Sequence, residues 1–159
     1  MNLSPHFTLA ELTFTDHREF LNVPNEANIQ NLCRLAEFLE KVKSLLGGLP
    51  ILVNSAYRSE AVNRAVGSKE TSQHLTGCAA DIRVPGMKPD VVCQAIFKSN
   101  LKYDQLIKEF VNADGGGWTH ISIPNTVAGI PRVQALIIDH AGTKRLENHL
   151  FRFSNNASE

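Results

Sequence analysis

Two side chains that can bind a metal lie seven positions apart in the segment SQHLTGCAADIR, residues 72–83. His74 precedes, and Asp81 lies within, an apolar run that is typical of a strand; a second such run, WTHISI, holds His120. Two imidazoles and a carboxylate are ordinary ligands of Zn²⁺, and three protein ligands leave a fourth position open for water, as hydrolysis of an amide requires. The same residue types also occur as packed or solvated side chains, so the spacing alone leaves both interpretations open.

The elements that would position these residues follow from periodicity. Apolar residues at three- and four-residue steps predict a long helix within residues 22–48, ended by Gly47 and Gly48. Thr8 and Glu11 have the spacing of a capping box, and shorter helices are predicted at 59–67 and 88–100. Strands are predicted at 50–59, 78–84, 104–110, 118–123 and 132–139, and residues 68–77 are predicted to be a polar loop. Helices first and strands mostly later predict an α+β fold, with a small antiparallel sheet covered by helices.

Length and composition limit the function classes. With 159 residues, 43% of them hydrophobic, we expect one domain over residues 1–153 and a flexible tail over 154–159. The formal net charge of zero argues against nucleic-acid binding, and without a long apolar run we expect no membrane insertion. Cys33, Cys78 and Cys93 have no disulfide or metal spacing and are predicted to be reduced thiols.

A family resemblance rests on three phrases that occur in family order, SAYRSEAVNRAVG, SQHLTGCAADI and WTHISI. Over residues 51–123 the chain resembles the D-Ala-D-Ala carboxypeptidase-like zinc peptidases of the M15 family, whose fold is shared with other LAS-type peptidases and the hedgehog signalling domain. The resemblance implies a zinc site with His74, Asp81 and His120 as ligands, following the family signature S-x-H-x6-D and a later histidine. Gly77 would let the metal loop pack closely before the strand.

The resemblance also implies roles in substrate binding. Arg58, in the phrase S-x-Y-R-S, would lie in the substrate cleft and stabilise the developing oxyanion, since a guanidinium is always charged. Ser72 and Gln73, beside the first ligand, and Trp118, two positions before His120, are predicted to contribute to the cleft wall. The other histidines have no ligand-like company and are predicted to be surface or supporting residues: His6, His17, His140 and His149.

The general base departs from one common family pattern. Several branches carry a carboxylate three residues before the last ligand histidine, where this chain has Gly117. Nearby carboxylates are Glu109, at the end of a predicted strand, and Asp114, in the loop ADGGG. Branches that match this chain better have an acidic residue ending the preceding strand, so Glu109 is the predicted base and Asp114 the alternative.

The expected substrate is the stem peptide of bacterial peptidoglycan, cut as a D-Ala-D-Ala carboxypeptidase or an L-Ala-D-Glu endopeptidase would cut it. A compact member of this kind resembles a phage or prophage endolysin. The chain shows no Sec-type signal, so we expect it to be made in the cytoplasm and to act on the cell wall after release, or to be carried on a virion. We also expect a monomer. The alternatives are a non-catalytic zinc-containing module that binds the wall or a partner, and a phage tail component on the same fold.

Overall fold

The computed structural model describes residues 1–111 and 114–147. His149 and the predicted tail at 154–159 lie outside the described residues. The helices are α1 (Leu9–Leu12), α2 (Glu26–Leu45), α3 (Glu60–Ala65), a 3₁₀ helix (Gln73–Thr76) that we call the His74 turn, and α4 (Pro89–Phe97). The strands are β1 (Leu52–Ser55), β2 (Ala79–Arg83), β3 (Gln105–Glu109), β4 (Trp118–Ser122), β5 (Gln134–Asp139) and β6 (Gly142–Arg145).

The helix boundaries have local causes. The capping box predicted at the start of α1 is confirmed, because Thr8 accepts a hydrogen bond from the Glu11 amide and the Glu11 side chain accepts one from the Thr8 amide. Asn25 caps α2 in the same way through the Asn28 amide. At the other end, Gly47 has a positive φ of 77° and closes the helix as predicted. No helix of the described residues is long and apolar enough to cross a bilayer.

The six strands form one sheet in the order β1-β2-β4-β3-β5-β6. All neighbouring pairs are antiparallel except β3 and β5, which are parallel. The prediction of an α+β fold with a small antiparallel sheet covered by helices is confirmed, with the parallel β3–β5 pair as the exception to the antiparallel pairing. Strand β3 lies between β4 and β5: it pairs antiparallel with β4, and β5 runs parallel to it along its other edge. Strand periodicity predicts that a segment is a strand, but it does not predict the direction of the neighbouring strand.

Two elements were not predicted from the sequence. Strand β6 has the sequence GTKR and every residue of it is exposed, so it carries no apolar alternation to signal a strand. The His74 turn lies in the segment predicted to be a polar loop. Its four residues are too few for helical periodicity to appear, and its Ser72 cap, with an oxygen that accepts a hydrogen bond from the His74 amide, is a local signal that a loop can also carry.

Helices α2 and α4 cover one face of the sheet, and the site lies on the other. Alternate strand residues, among them Ile82, Leu106 and Ile121, belong to one fully buried cluster with apolar residues of α2 and α4. Because side chains alternate along a strand, the intervening positions Asp81, His120, Trp118 and Glu109 lie on the opposite face. The three cysteines are free, as predicted, and Cys78 and Cys93 are buried within this core.

Candidate metal centre and catalytic cavity

Strand pairing brings two of the predicted ligands together. Asp81 in β2 is the register partner of His120 in β4. Directly opposed residues of an antiparallel pair have adjacent Cβ atoms, so both side chains leave the same face of the sheet side by side. The His120 Nδ1 atom lies 3.0 Å from Asp81 Oδ1.

The third ligand comes from the His74 turn, which leads directly into β2. Gly77 ends this turn with a φ of +75°, a left-handed conformation that glycine adopts without steric cost. A Cβ atom at this position would lie 2.9 Å from the Asn28 carbonyl oxygen and 3.0 Å from Leu32 Cγ, both in α2. The close approach of the turn to α2 therefore requires glycine, in agreement with the sequence prediction.

The three predicted ligands form one compact cluster. His74, Asp81 and His120 are 3%, 7% and 8% exposed, and each offers one ligand atom within 4.8 Å of the other two. His74 Nε2 lies 3.4 Å from Asp81 Oδ1, and the two imidazole rings are 5.2 Å apart at an angle of 67°. A single cation in contact with all three side chains is compatible with this spacing.

Neighbouring groups orient the ligands. The Nδ1–H of His74 donates to the Ala56 carbonyl at 2.6 Å, which leaves the Nε2 lone pair directed to the cluster. Arg58 donates from Nη2 to Asp81 Oδ2 at 3.0 Å and from Nε to Ser55 Oγ at 2.9 Å. Asp81 is therefore held by one oxygen, and its Oδ1 faces the two histidines.

The protonation states also favour a cation. Burial raises the pKa of Asp81, but the charges and hydrogen bonds of His74 and His120 outweigh burial and hold that pKa well below its ordinary value. Burial lowers the pKa of His74, despite the opposing effect of Asp81. An ionised carboxylate beside a neutral imidazole is the form in which both bind metal. Two nitrogens, one oxygen and outer hydrogen bonds that orient them fit Zn²⁺.

The cluster forms the floor of a cavity of about 590 Å³. Seven of the predicted site residues line it: the three ligands, Arg58, Ser72, Glu109 and Trp118. The other lining residues are Val66, Gly67, Ser68 and Phe110. The Trp118 and Phe110 rings are 5.6 Å apart and make an aromatic side wall.

Glu109 lies close to the ligands. Its Oε1 is 3.8 Å from His120 Nδ1, and burial together with the negative charge of Asp81 raises its pKa. The alternative base, Asp114, is exposed and does not line the cavity. Of the two carboxylates, Glu109 has the position and the environment that a general base requires.

Gly117 occupies the position where a base was expected from other family branches. It has a φ of +87°, and a Cβ atom on it would lie 2.4 Å from the Glu109 carbonyl oxygen and 2.6 Å from the Phe110 carbonyl carbon. Phe110 itself has an unusual φ of +51°. The end of β3, which carries Glu109, thus packs directly on Gly117, and a side chain at residue 117 is incompatible with this arrangement.

Gln73 does not line the cavity. It is 7% exposed, and its amide donates instead to Asp104 Oδ2 at 3.0 Å and to the Ile123 carbonyl at 2.9 Å. Its neighbour in sequence, His74, faces the cluster, so the side chains of these adjacent residues point in different directions. The contact of the Ala56 carbonyl with His74 was not predicted from the sequence, because a backbone carbonyl is present in every residue type.

The remaining histidines of the described residues lie apart from the metal cluster. His6 pairs with Glu40 at 2.8 Å on the surface, and His17 approaches Glu19 at 3.2 Å. The exposed ring of His140 lies 5.1 Å from that of Phe110, behind the aromatic wall. These positions agree with the predicted surface and supporting roles.

The family model described as Peptidase M15 matches residues 5–122 of the chain. This range includes the three clustered ligands, Arg58 and Glu109. No curated protein matches the chain.

Proposed function

Since the chain belongs to the peptidase M15 family, a family of metallopeptidases, we propose that it is a zinc-dependent hydrolase of an amide bond in the stem peptide of bacterial peptidoglycan. The observation that carries the proposal is the convergence of His74, Asp81 and His120 on one cavity, with the Glu109 carboxylate beside them. A cluster of this composition, buried and oriented by further hydrogen bonds, has the features of a catalytic metal site with an open position.

The ligands are His74 through Nε2, Asp81 through Oδ1 and His120. When bound, zinc would polarise the scissile carbonyl and lower the pKa of water. The chain itself supplies the orientation: Ala56 holds the His74 ring and Arg58 holds the second oxygen of Asp81.

Glu109 is the proposed general base. It takes a proton from the attacking water and passes it to the leaving amine. Its raised pKa suits this exchange, because a carboxyl group that must both accept and release a proton works best when its pKa approaches the working pH.

Arg58 has two tasks in this proposal. Its ion pair with Asp81 keeps that carboxylate in place. The guanidinium also borders the cavity, where it would stabilise the negative charge that develops on the carbonyl oxygen. The side chain is 12% exposed, so the charge acts in a partly desolvated setting. Ser72 and Trp118, which also line the cavity, would contact the substrate.

The cleaved bond and the biological setting are finer parts of the proposal. The bond is that of a D-Ala-D-Ala carboxypeptidase or of an L-Ala-D-Glu endopeptidase, and the setting is that of a phage or prophage endolysin that acts as a monomer on the cell wall. The bond is supported by the resemblance of the phrases around Arg58, His74 and His120 to such enzymes, and the setting by the resemblance of a compact family member to an endolysin.

Purified protein incubated with peptidoglycan tests the proposal. We expect release of cleaved stem peptides, their loss after removal of zinc with a chelator, and their return after zinc is added back. Mass spectrometry of the products identifies the bond. A protein that binds zinc and cleaves nothing would instead be a non-catalytic module on this fold, and the enzymatic proposal would be wrong.

A further inference from the structure

The Gln73 side chain connects the His74 turn to the far end of the sheet. Its Nε2 atom donates to Asp104 Oδ2 at 3.0 Å, to the Ile123 carbonyl at 2.9 Å and to Asn125 Oδ1 at 3.3 Å. Its Oε1 has no hydrogen-bond partner among the described atoms. All of its polar contacts therefore come from one amide nitrogen, and they join the turn to the residue before β3 and to the segment after β4.

Asp104, the first of these acceptors, is itself fixed. It is 5% exposed and receives hydrogen bonds from Arg132 through the backbone amide at 3.0 Å and through Nη2 at 2.7 Å. The Asp104 amide also donates to the Ser122 carbonyl at 2.8 Å. The backbone of Asp104 is thus held by the sheet, and the carboxylate that accepts from the Gln73 amide is held by Arg132.

Asn125 binds both ends of the turn. Its Oδ1 accepts from the Gln73 amide and, at 3.1 Å, from Thr76 Oγ1. The turn consists of four residues, so a group that contacts the first and the last spans all of it. His74 lies between these two contacts and points the other way, into the metal cluster.

We propose that Gln73 is a positioning residue for the metal ligand His74: its amide fixes the turn to Asp104 and Asn125 and thereby sets where the imidazole meets the other two ligands. The imidazole ring donates to the Ala56 carbonyl, which controls the orientation of the ring. The backbone that carries the ring is held at the His74 carbonyl by the Arg58 amide at 3.0 Å, and the Gln73 contacts fix the residue before it. This inference rests on the metal site of the proposed function.

The test measures zinc affinity by competition with a chromophoric chelator. In Gln73→Met the side chain keeps its length and loses its donor, and we expect the dissociation constant for zinc to rise about 10- to 100-fold, as for other groups that orient metal ligands. The absorption of the Co²⁺ form should change as well, because the geometry of the ligands changes. Gln105→Met is the matched control, since the Gln105 amide bonds only to Gln134 at the surface among the described contacts, and its zinc affinity should stay at the parent value.

A second control separates positioning from stability. Ile96→Val removes a methylene group from the core of α4, so it lowers the free energy of unfolding, yet it should leave zinc affinity and the Co²⁺ spectrum unchanged. If Gln73→Met does not fold, Thr76→Val removes the contacts of the Thr76 hydroxyl with Asn125 Oδ1 and with the Gln73 carbonyl, and it should weaken zinc binding several-fold. Parental zinc affinity in Gln73→Met, or in Thr76→Val where Gln73→Met does not fold, overturns the inference.

The two levels of the proposal fail differently. A parent protein that binds no zinc overturns the proposed function, and this inference with it. A parent that binds zinc and cleaves peptidoglycan, together with a Gln73→Met protein of equal zinc affinity and equal Co²⁺ spectrum, overturns only the role of Gln73.

Discussion

Asp81 and His120 lie directly opposite each other on the neighbouring strands β2 and β4, with His120 Nδ1 3.0 Å from Asp81 Oδ1. Thirty-nine positions of sequence separate them. A slip of one residue in this register would send one side chain to the helix-covered face, because strand side chains alternate. The ligand pair is therefore a property of the sheet register, and the following expectations depend on it.

Replacing a ligand should abolish zinc binding. We expect purified His74→Ala and His120→Ala to contain almost no zinc by elemental analysis, since two ligands hold the ion far less well than three. His140→Ala is the control, because this exposed histidine lies behind the aromatic wall. Full zinc content in either ligand variant would move the site elsewhere.

Glu109→Gln should separate metal binding from catalysis. The amide keeps the size of the side chain but cannot accept the proton, so we expect zinc content to be unchanged and the rate of peptidoglycan cleavage to fall by about 10²- to 10⁴-fold. Asp114→Asn makes the same change on the exposed loop and should retain activity. The reverse result, with an active Glu109→Gln and an inactive Asp114→Asn, would assign the base to Asp114.

Two glycines of one loop give a test of the packing beneath Glu109. Gly115 and Gly117 both have positive φ, but a Cβ atom at Gly115 meets nothing within 4 Å, whereas one at Gly117 meets the Glu109 carbonyl oxygen at 2.4 Å. Gly115→Ala should lower the free energy of unfolding by about 1 to 2 kcal/mol, which is the cost of placing a residue with a Cβ atom in a left-handed conformation. In Gly117→Ala the clash should lower the free energy of unfolding by about 1 to 3 kcal/mol more.

Unfolding in urea measures both glycine variants, and cleavage assays follow the consequence for Glu109. We expect reduced activity with retained zinc in Gly117→Ala, because the base is displaced and the ligands are not. Equal stability and activity of the two variants would contradict the packing that the structure gives to Gly117.

The Asp104 carboxylate should make stability depend on pH. Burial raises its pKa, but hydrogen bonds from Arg132 and Gln73 and the charge of Arg132 outweigh burial, so the pKa lies below its ordinary value. A depressed folded-state pKa stabilises the protein above the unfolded pKa, near 4, and this contribution is lost as the pH falls through the folded value. Asp104→Asn lacks it and should be about 1 to 3 kcal/mol less stable near neutral pH.

Urea unfolding of the parent and of Asp104→Asn from pH 6 down to pH 3 checks this expectation. The difference in the free energy of unfolding should be constant above about pH 5 and should shrink below pH 4. Other carboxylates titrate alike in both proteins and cancel in the difference. A gap that does not change over this range would show that the Asp104 charge is not what stabilises the fold.

The sequence by itself predicted the elements whose signals are local. Apolar steps predicted α2, the spacing of Thr8 and Glu11 predicted a cap, and the alternation in WTHISI predicted that Trp118 and His120 share a face. These features follow from the geometry of a single segment, in which neighbouring side chains report the period of the backbone. The resemblance of three short phrases then predicted the ligands, because their order along the chain carried information that spacing alone did not.

The tertiary structure decided what depends on distant segments. It determined that β2 pairs with β4, that β5 runs parallel to β3, and that Glu109 rather than Asp114 borders the cavity. It also turned Gln73 away from the cavity and toward Asp104, and it assigned the orientation of His74 to a backbone carbonyl. Such contacts join residues tens of positions apart, and they form only when the whole core packs, so no local pattern of residue types can specify them.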